Sequence, residues 1–324
     1  MAVMTYIEAL SAGLREEMQR DGSVFILGED VGTYGGAFRV TKGFLDEFGP
    51  DRIVDTPISE SAIIGAAIGS AFMGMRPVAE MQFIDFMACA HDIIVNYAAK
   101  SRYRWGVGVP MVIRGPCGGG VSGGPFHSQN PESAYLNAPG LKIVAPSTAI
   151  DAKGLIKAAI RDDDPVIYLE HKFLYRRVKE DIPDGDWVVP IGKAAVARAG
   201  KDLSIITYGA MRWVATDAAE VLAGEGINVE VLDLRTLLPL DRAAIAESVK
   251  RTNKVLVLHE ATLTGGPAGE ITAIINEEAF EYLDAPVRRL APPDIPVPYA
   301  PTLEKFFLPQ VDDVVKAARE LHAY

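Results

Sequence analysis

The sequence predicts an α/β protein made of two doubly wound domains, each with a mainly parallel sheet. Short β-branched runs such as Val24–Gly28 and Val166–Glu170 alternate with amphipathic stretches such as Ile7–Arg20. The runs are apolar throughout rather than alternating, which is typical of strands covered on both faces. At 324 residues the chain exceeds the usual length of one domain.

Apolar runs bounded by turn residues predict the strands, and apolar spacing near 3.6 residues predicts the helices. In the first domain we expect strands at Val24–Gly28, Arg52–Asp55, Val78–Phe83, Pro110–Arg114, Lys142–Ala145 and Val166–Glu170, with helices at Ile7–Arg20, Ser61–Met73, Asp85–Ser101 and Ala149–Arg161. In the second we expect strands at Leu203–Tyr208, Val229–Leu232, Val255–Leu258 and Val287–Leu290, with helices near Val214–Ala223, Arg242–Lys250, Gly269–Phe280 and Val311–His322.

A charged, turn-rich segment between Tyr175 and Gly192 separates the two patterns. Such a change of composition is typical of an interdomain linker. We therefore place the first domain in residues 1–178, the linker in residues 179–195 and the second domain in residues 196–324.

Composition excludes several classes of protein. The net charge of −11 argues against nucleic acid or an anionic membrane as the main partner. Cys89 and Cys117 lie in unrelated contexts, so neither a disulfide framework nor a zinc site is indicated. The first residues lack the pattern of a signal peptide, and no apolar run reaches membrane-spanning length. We expect a soluble protein of a reducing compartment, the cytoplasm.

The segment Asp55–Gly69 carries a single carboxylate, Glu60, where a small-residue helix begins. That helix has no charge from Ala62 to Met75, so we expect it to be buried. Glu60 then lies at the edge of a core, where desolvation raises the pKa of a carboxylate. The alternative is that Glu60 only caps the helix N-terminus.

Other polar residues follow predicted strands, where open parallel sheets place their ligands. Glu29 and Asp30 end the first strand, although Asp30 equally suits a turn that caps its own backbone. Gln82 and Phe86 end the third strand and suit hydrogen bonding and stacking on a planar heteroaromatic ring. Phe83 and Phe86 also fit a plain core.

A glycine-rich segment from Gly118 to Gly124 follows another strand and ends near His127. Glycines let a backbone approach a ligand closely or let a lid move. A histidine there suits acid–base chemistry, with a structural histidine as the alternative. The sequence contains neither a Gly-x-Gly-x-x-Gly after a strand nor a P-loop. The sequence thus offers groups for ring binding and proton transfer but no motif that would bind phosphate. This suggests that the chain forms half of a site and that another polypeptide completes it.

The sequence motifs of this chain resemble those of a known family, the β subunits of heterotetrameric thiamine-diphosphate-dependent 2-oxo acid dehydrogenases. These act in the pyruvate, branched-chain 2-oxo acid and acetoin dehydrogenase complexes. The resemblance spans essentially the whole chain, and its order and spacing make it specific. It rests on Leu27-Gly-Glu-Asp-Val-Gly, Asp55-Thr-Pro-Ile-Ser-Glu, Arg76-Pro-Val-Ala-Glu-Met-Gln-Phe, His127-Ser-Gln, Pro139-Gly-Leu-Lys-Ile-Val and Pro292-Pro-Asp-Ile-Pro-Val-Pro-Tyr.

The resemblance implies a transketolase-like pyrimidine-binding domain followed by a transketolase C-terminal domain. It also implies an α2β2 assembly in which the α subunit holds the diphosphate and Mg²⁺, and a lipoyl-bearing acyltransferase that receives the acyl group. Glu60 would bond the pyrimidine ring nitrogen, and His127 would assist proton transfer. The pyrimidine pocket would be lined by Glu29, Ile58, Gln82 and Phe86.

The resemblance further suggests a K⁺ site, bound largely through backbone carbonyls of Met111, Ala159, Ile160, Asp162 and Asp164. Some relatives carry Asn at the last of these positions. The substrate stays open among pyruvate, a branched-chain 2-oxo acid and acetoin. Two other classes are alternatives: a nucleotide- or flavin-binding electron-transfer subunit, and a self-sufficient transketolase or synthase. The missing phosphate motifs disfavour both.

Overall fold

The structure is a computed structural model that describes residues 2–324. Its contacts divide the chain into two compact units. The first comprises the described residues up to Cys117 together with Ala134–Ile191, and the second comprises Gly118–Ser133 together with Gly192–Tyr324. Within residues 2–324, no helix is long and apolar enough to cross a membrane.

In the first unit, six strands form a parallel sheet in the order β6-β7-β5-β4-β2-β3. Its strands are almost entirely buried, as continuous apolar runs predict. The elements are β1 (Ala2–Thr5), α1 (Tyr6–Arg20), β2 (Val24–Gly28), α2 (Phe44–Phe48), β3 (Ile53–Asp55), α3 (Glu60–Phe72), β4 (Arg76–Glu80), α4 (Ser101–Trp105), β5 (Val112–Cys117), β6 (Lys142–Val144), α5 (Ala149–Arg161), β7 (Val166–His171) and β8 (Lys179–Ile182).

In the second unit, five strands form a sheet in the order β14-β13-β10-β11-β9, parallel except for the edge strand β9. The predicted α/β class with mainly parallel sheets is confirmed. The elements are β9 (Ala195–Arg198), β10 (Leu203–Thr207), α6 (Met211–Ala223), β11 (Val229–Asp233), β12 (Thr236–Leu238), α7 (Arg242–Thr252), β13 (Val255–Leu258), α8 (Ala268–Ala279), β14 (Arg288–Leu290), α9 (Pro301–Phe307) and α10 (Val311–His322).

The segment expected to be an irregular linker contains a strand. β8 pairs antiparallel with β1, in a register that joins Ala2 to Ile182 and Thr5 to Lys179. Composition missed this pair because its partners lie far apart in sequence, and the charged residues of β8 resemble a loop when read locally.

The single helix expected at Asp85–Ser101 is also wrong. The chain instead forms a 3₁₀ helix at Ile84–Ala90, a π-helical turn at Ile93–Ala98 and then α4. The amide of Ala99 bonds the carbonyl of Ile94, five residues back, at 3.0 Å. Apolar spacing does not distinguish these patterns, because tighter and wider turns present similar faces over one or two turns.

Helix α3 was expected to be buried, yet it is buried on one face only. Ile63, Ile64 and Ala67 lie in the core, whereas the opposite face is exposed. A Cβ added at Gly65 or Gly69 would meet nothing within 4 Å. This exposed face is uncharged and consists mainly of small residues. The exposed face, termed here the α3 surface, consists of Ala62, Gly65, Ala66, Gly69, Phe72 and Met73.

Candidate active site

The site is built on the carboxyl ends of three neighbouring strands. β2 lies between β3 and β4, and Gly28 of β2 is paired with Asp55 on one side and Glu80 on the other. All three strands are parallel, so the segments that follow them leave the sheet at the same edge. That edge is where open α/β sheets bind ligands.

Glu29, the first residue after β2, is 6% exposed. Burial raises the pKa of its carboxyl group, and the negative charges of Glu60 and Asp30 raise it further. Glu60 is half-buried and is the first residue of α3. The structure therefore brings together the two carboxylates that the sequence singled out.

Gln82 and Phe86 follow β4, which ends at Glu80, earlier than expected. The amide nitrogen of Gln82 lies 3.4 Å from a carboxylate oxygen of Asp30, which has a left-handed φ of 57°. Phe86 packs edge-on against Phe83 with 6.1 Å between ring centres. Phe83 also contacts Phe38, as a core residue would, while Phe86 is half-buried. Stacking of Phe86 on a cofactor ring stays a prediction.

The loop after β3 presents two further groups at this edge. Ile58 is 82% exposed, which is unusual for a large apolar side chain. The hydroxyl of Thr56 is buried and has no hydrogen-bond partner within residues 2–324. Asp55 accepts the amide hydrogen of Gly32 at 2.6 Å and so fixes the loop after β2 against the loop after β3.

Sequence reasoning missed a buried ion cluster on these strands. Arg114 of β5 contacts Glu80 of β4 and donates to both carboxylate oxygens of Glu170 on β7, at 2.5 and 2.7 Å. Tyr175 donates to the same carboxylate at 2.6 Å. Arg114 is 1% exposed and Glu170 is 0% exposed. The sequence did contain a signal: a positively charged residue, Arg114, and a negatively charged one, Glu170, each occur within an apolar strand. Charged residues are seldom buried unless they are paired, so the two could have been expected to contact each other.

The ion cluster packs against the loop that follows Glu29 in the candidate site. Burial raises the pKa of Glu80, while the charge of Arg114 opposes that shift. A Cβ added at Gly36, where φ is 80°, would lie 2.7 Å from a Glu80 carboxylate oxygen. The loop that follows Glu29 therefore packs closely on the ion cluster, and only glycine fits there.

His127 belongs to the second unit and is half-buried. It lies in what we term the glycine-rich loop, residues 118–128. The amide of Gly118 bonds the carbonyl of Gln129 at 3.0 Å, which closes the base of this loop.

The residues of the expected K⁺ site lie close together, but four of the five proposed carbonyls, all except that of Asp164, accept hydrogen bonds within the chain. Arg76 donates to the carbonyls of Ile160 and Asp162 at 3.0 and 2.9 Å. The carbonyl of Met111 accepts from Val166, and that of Ala159 accepts from Asp162. The carboxylate of Asp162 is paired with Lys142 and that of Asp164 with Arg102. Within residues 2–324, no group of three or more His, Cys, Asp or Glu side chains is arranged to hold a metal ion.

Comparison with known proteins defines the class first. Residues 2–178 match the family model of the transketolase pyrimidine-binding domain, and residues 192–314 match that of the transketolase C-terminal domain. A solved structure described as a split-gene transketolase in an inactive β4 tetramer has the same fold. It superimposes with a TM-score of 0.82 at 23% identity, covering 99% of this chain and 98% of that one.

Full-length relatives then define the family. The chain is 52% identical to the 2-oxoisovalerate dehydrogenase subunit beta of Bacillus subtilis, covering 99% of both chains. It is 47% identical to the mitochondrial pyruvate dehydrogenase E1 component subunit beta-2 of Oryza sativa, covering 98% of this chain and 85% of the relative. The pyruvate dehydrogenase E1 component subunit beta of Rickettsia felis is 44% identical over 99% of both. The chain belongs to this family of 2-oxo acid dehydrogenase β subunits.

Proposed function

We propose that this chain, together with an α subunit, catalyses the thiamine-diphosphate-dependent oxidative decarboxylation of a 2-oxo acid, with transfer of the acyl group to a lipoyl group. The observation that carries the proposal is the proximity of two carboxylates: Glu29 directly follows β2, and Glu60 begins α3 after the neighbouring parallel strand β3. This pair lies within the residues that match the pyrimidine-binding domain.

The groups at this edge fit an aminopyrimidine. The carboxyl group of Glu60 can donate a hydrogen bond to a ring nitrogen, and Ile58 and Phe86 offer apolar surfaces to a planar ring. The buried hydroxyl of Thr56 has unused hydrogen-bonding capacity at the same edge. When bound, thiamine diphosphate supplies a nucleophilic carbon that adds to the 2-oxo group and accepts the electron pair released with CO₂.

In this proposal the chain's own residues move and hold protons. Glu60 shares a proton with the pyrimidine ring nitrogen and thereby acts as the general acid–base of cofactor activation. Glu29 has a raised pKa and so retains a proton more readily than an exposed carboxyl group.

An α subunit is needed because this chain supplies only the pyrimidine side of the site. The sequence has no P-loop and no dinucleotide-binding fingerprint, so we assign the diphosphate and Mg²⁺ to the α subunit. The α3 surface supports this arrangement. Its helix begins at Glu60, so a chain that docks on this surface lies beside the proposed pyrimidine pocket.

His127 is proposed to assist proton transfer to the substrate or during acylation of the lipoyl group. It is half-buried at the end of the glycine-rich loop, and histidine is the side chain that most often transfers protons near neutral pH. The acceptor would be the lipoyl-bearing acyltransferase of the complex.

The K⁺ site stays a prediction, and the observed contacts weigh against it. The guanidinium group of Arg76 already supplies a positive charge to two of the proposed carbonyl ligands. Thermal unfolding in K⁺, compared with Na⁺ and choline at equal ionic strength, tests the site. A rise in Tm specific to K⁺ would support the ion, and equal Tm values would favour Arg76 in its place.

The decisive experiment is reconstitution with a candidate α subunit. Thiamine diphosphate binding is measured by calorimetry for the chain alone and for the assembly, followed by dye reduction with pyruvate, branched-chain 2-oxo acids and acetoin. We expect tight binding and turnover only in the assembly. Tight binding by the isolated chain would overturn the proposal that this chain forms only half of the site.

The names of the relatives are those of pyruvate and 2-oxoisovalerate dehydrogenases, so acetoin is the less favoured substrate. A nucleotide- or flavin-binding subunit is not favoured by these relatives.

A further inference from the structure

The glycine-rich loop is held from inside its own unit by two buried carboxylates. Glu260, two residues after β13, accepts the amide hydrogen of Gly119 at 2.6 Å and the side-chain amide of Asn130 at 3.0 Å. Glu304 of α9 accepts the amide hydrogens of Gly120 and Ser122, both at 2.9 Å. These carboxylates are only 6% and 4% exposed.

The loop backbone has a conformation that needs such support. Gly118, Gly120 and Gly124 have φ values of 81°, 84° and 69°, and Ser122 has a φ of 58° although it is not glycine. A residue with a side chain seldom adopts this left-handed region unless its surroundings impose it. The bonds from Ser122 to Glu304 supply that constraint, since both its amide and its hydroxyl face the carboxylate.

One further contact fixes the loop near His127, and another fixes the segment that follows the loop. Gly124 lies against the ring of Tyr299, so closely that an added Cβ would stand 2.1 Å from a ring carbon. Beyond the loop, Tyr208 donates to the carboxylate of Glu132 at 2.5 Å. The glycines therefore allow the loop to pack closely in one defined backbone conformation, rather than to move freely as a lid.

We propose that Glu260 and Glu304 are positioning residues for the reaction: they clamp the glycine-rich loop in one conformation and so fix the place of His127. The proposal rests on the role of His127 given above. Backbone amides that converge on one point form a natural anion site, and here the chain's own carboxylates fill it. Hydrogen bonds to a charged acceptor are roughly twice as strong as neutral ones, which suits a clamp.

The test uses the assembly with the α subunit and three variants: Glu304→Gln, Glu304→Ala and Glu260→Gln. Hydrogen exchange of the peptide covering residues 118–128 reports loop order without reference to activity. Glutamine keeps one acceptor oxygen and the side-chain shape, so it provides a folded variant if alanine disrupts the unit. The matched control is Glu270→Gln, which removes the same charge from an exposed position in α8.

We expect exchange in the loop to accelerate by about 10- to 100-fold in Glu304→Ala and less in the glutamine variants. The kcat with the lipoyl acceptor should fall at least about fivefold, while the affinity for thiamine diphosphate changes less than about twofold, because the pyrimidine pocket is untouched. Glu270→Gln should change none of these quantities. A merely structural role would leave kcat intact once the variant is folded and loaded.

Two outcomes overturn the proposal, and His127→Ala measured in parallel distinguishes their causes. Unchanged loop exchange in Glu304→Ala would show that no clamp exists, whatever the function of His127. Faster exchange with unchanged kcat would overturn the positioning role. If His127→Ala still loses activity in that case, only the clamp fails; if it does not, the proposed role of His127 fails as well.

Discussion

Glu29 and Glu60 lie at the same edge of the first parallel sheet, and after burial it is the charge of Glu60 that raises the pKa of Glu29. Carboxyl groups with shifted pKa values are often found at active sites. Each carboxylate can therefore be tested separately.

Glu60→Gln should abolish turnover and leave assembly intact. Glutamine preserves the size of the side chain but cannot exchange a proton with a ring nitrogen, so kcat should fall at least about 100-fold. The measurements are 2-oxo acid-dependent dye reduction and size-exclusion chromatography of the reconstituted assembly. Asp51→Asn, an exposed change in the same unit, is the control. Substantial activity in Glu60→Gln would remove this residue from the mechanism.

Glu29→Gln should stabilise the chain at neutral pH while impairing catalysis. The folded chain raises the pKa of Glu29 above its usual value of 4.5, so ionisation costs free energy only in the folded state. The advantage of the variant should be absent well below pH 4.5, grow as pH rises from 4.5 through the folded pKa, and then stay constant. Urea unfolding at several pH values measures it. A gain that is the same at every pH would contradict the prediction.

Arg114→Met should destabilise the chain by about 3–5 kcal/mol. The substitution leaves the buried carboxylates of Glu80 and Glu170 without their shared cation. Chemical denaturation at pH 7 gives the change in free energy of unfolding. Arg104→Met, at an exposed position, should change it by less than about 0.5 kcal/mol. Equal stabilities of the two variants would show that the cluster is not required for folding.

Gly65→Leu and Gly69→Leu should separate folding from assembly. Both positions have open space for a side chain, so the isolated chain should fold with unchanged or slightly higher stability, because leucine favours helix over glycine. A bulky residue on the α3 surface should weaken association with the α subunit at least tenfold, as measured by analytical ultracentrifugation. Gly22→Leu, which also meets open space, should assemble normally. Normal assembly of all three variants would place the α subunit elsewhere.

Sequence alone predicted the fold class and most strands, because strands covered on both faces leave continuous apolar runs, as in β2 and β7. It also placed Glu29, Glu60 and Gln82 at one edge, since residues that follow parallel strands share that edge. The pairing of β1 with β8 depends on residues about 180 positions apart, as Ala2 and Ile182 show. The clamp on the glycine-rich loop joins Gly120 to Glu304 across a similar separation. No local pattern carries such information.

The α3 surface also bears on how a cell must supply this protein. Phe72 and Met73 at the end of α3 are exposed beside glycines, and an α subunit docked there, as proposed above, would cover them. Copies synthesised in excess would present that apolar stripe to chaperones and proteases, which act on such surfaces. The cell would then need to synthesise the two polypeptides in balanced amounts. The scarcer chain would limit the amount of assembled enzyme.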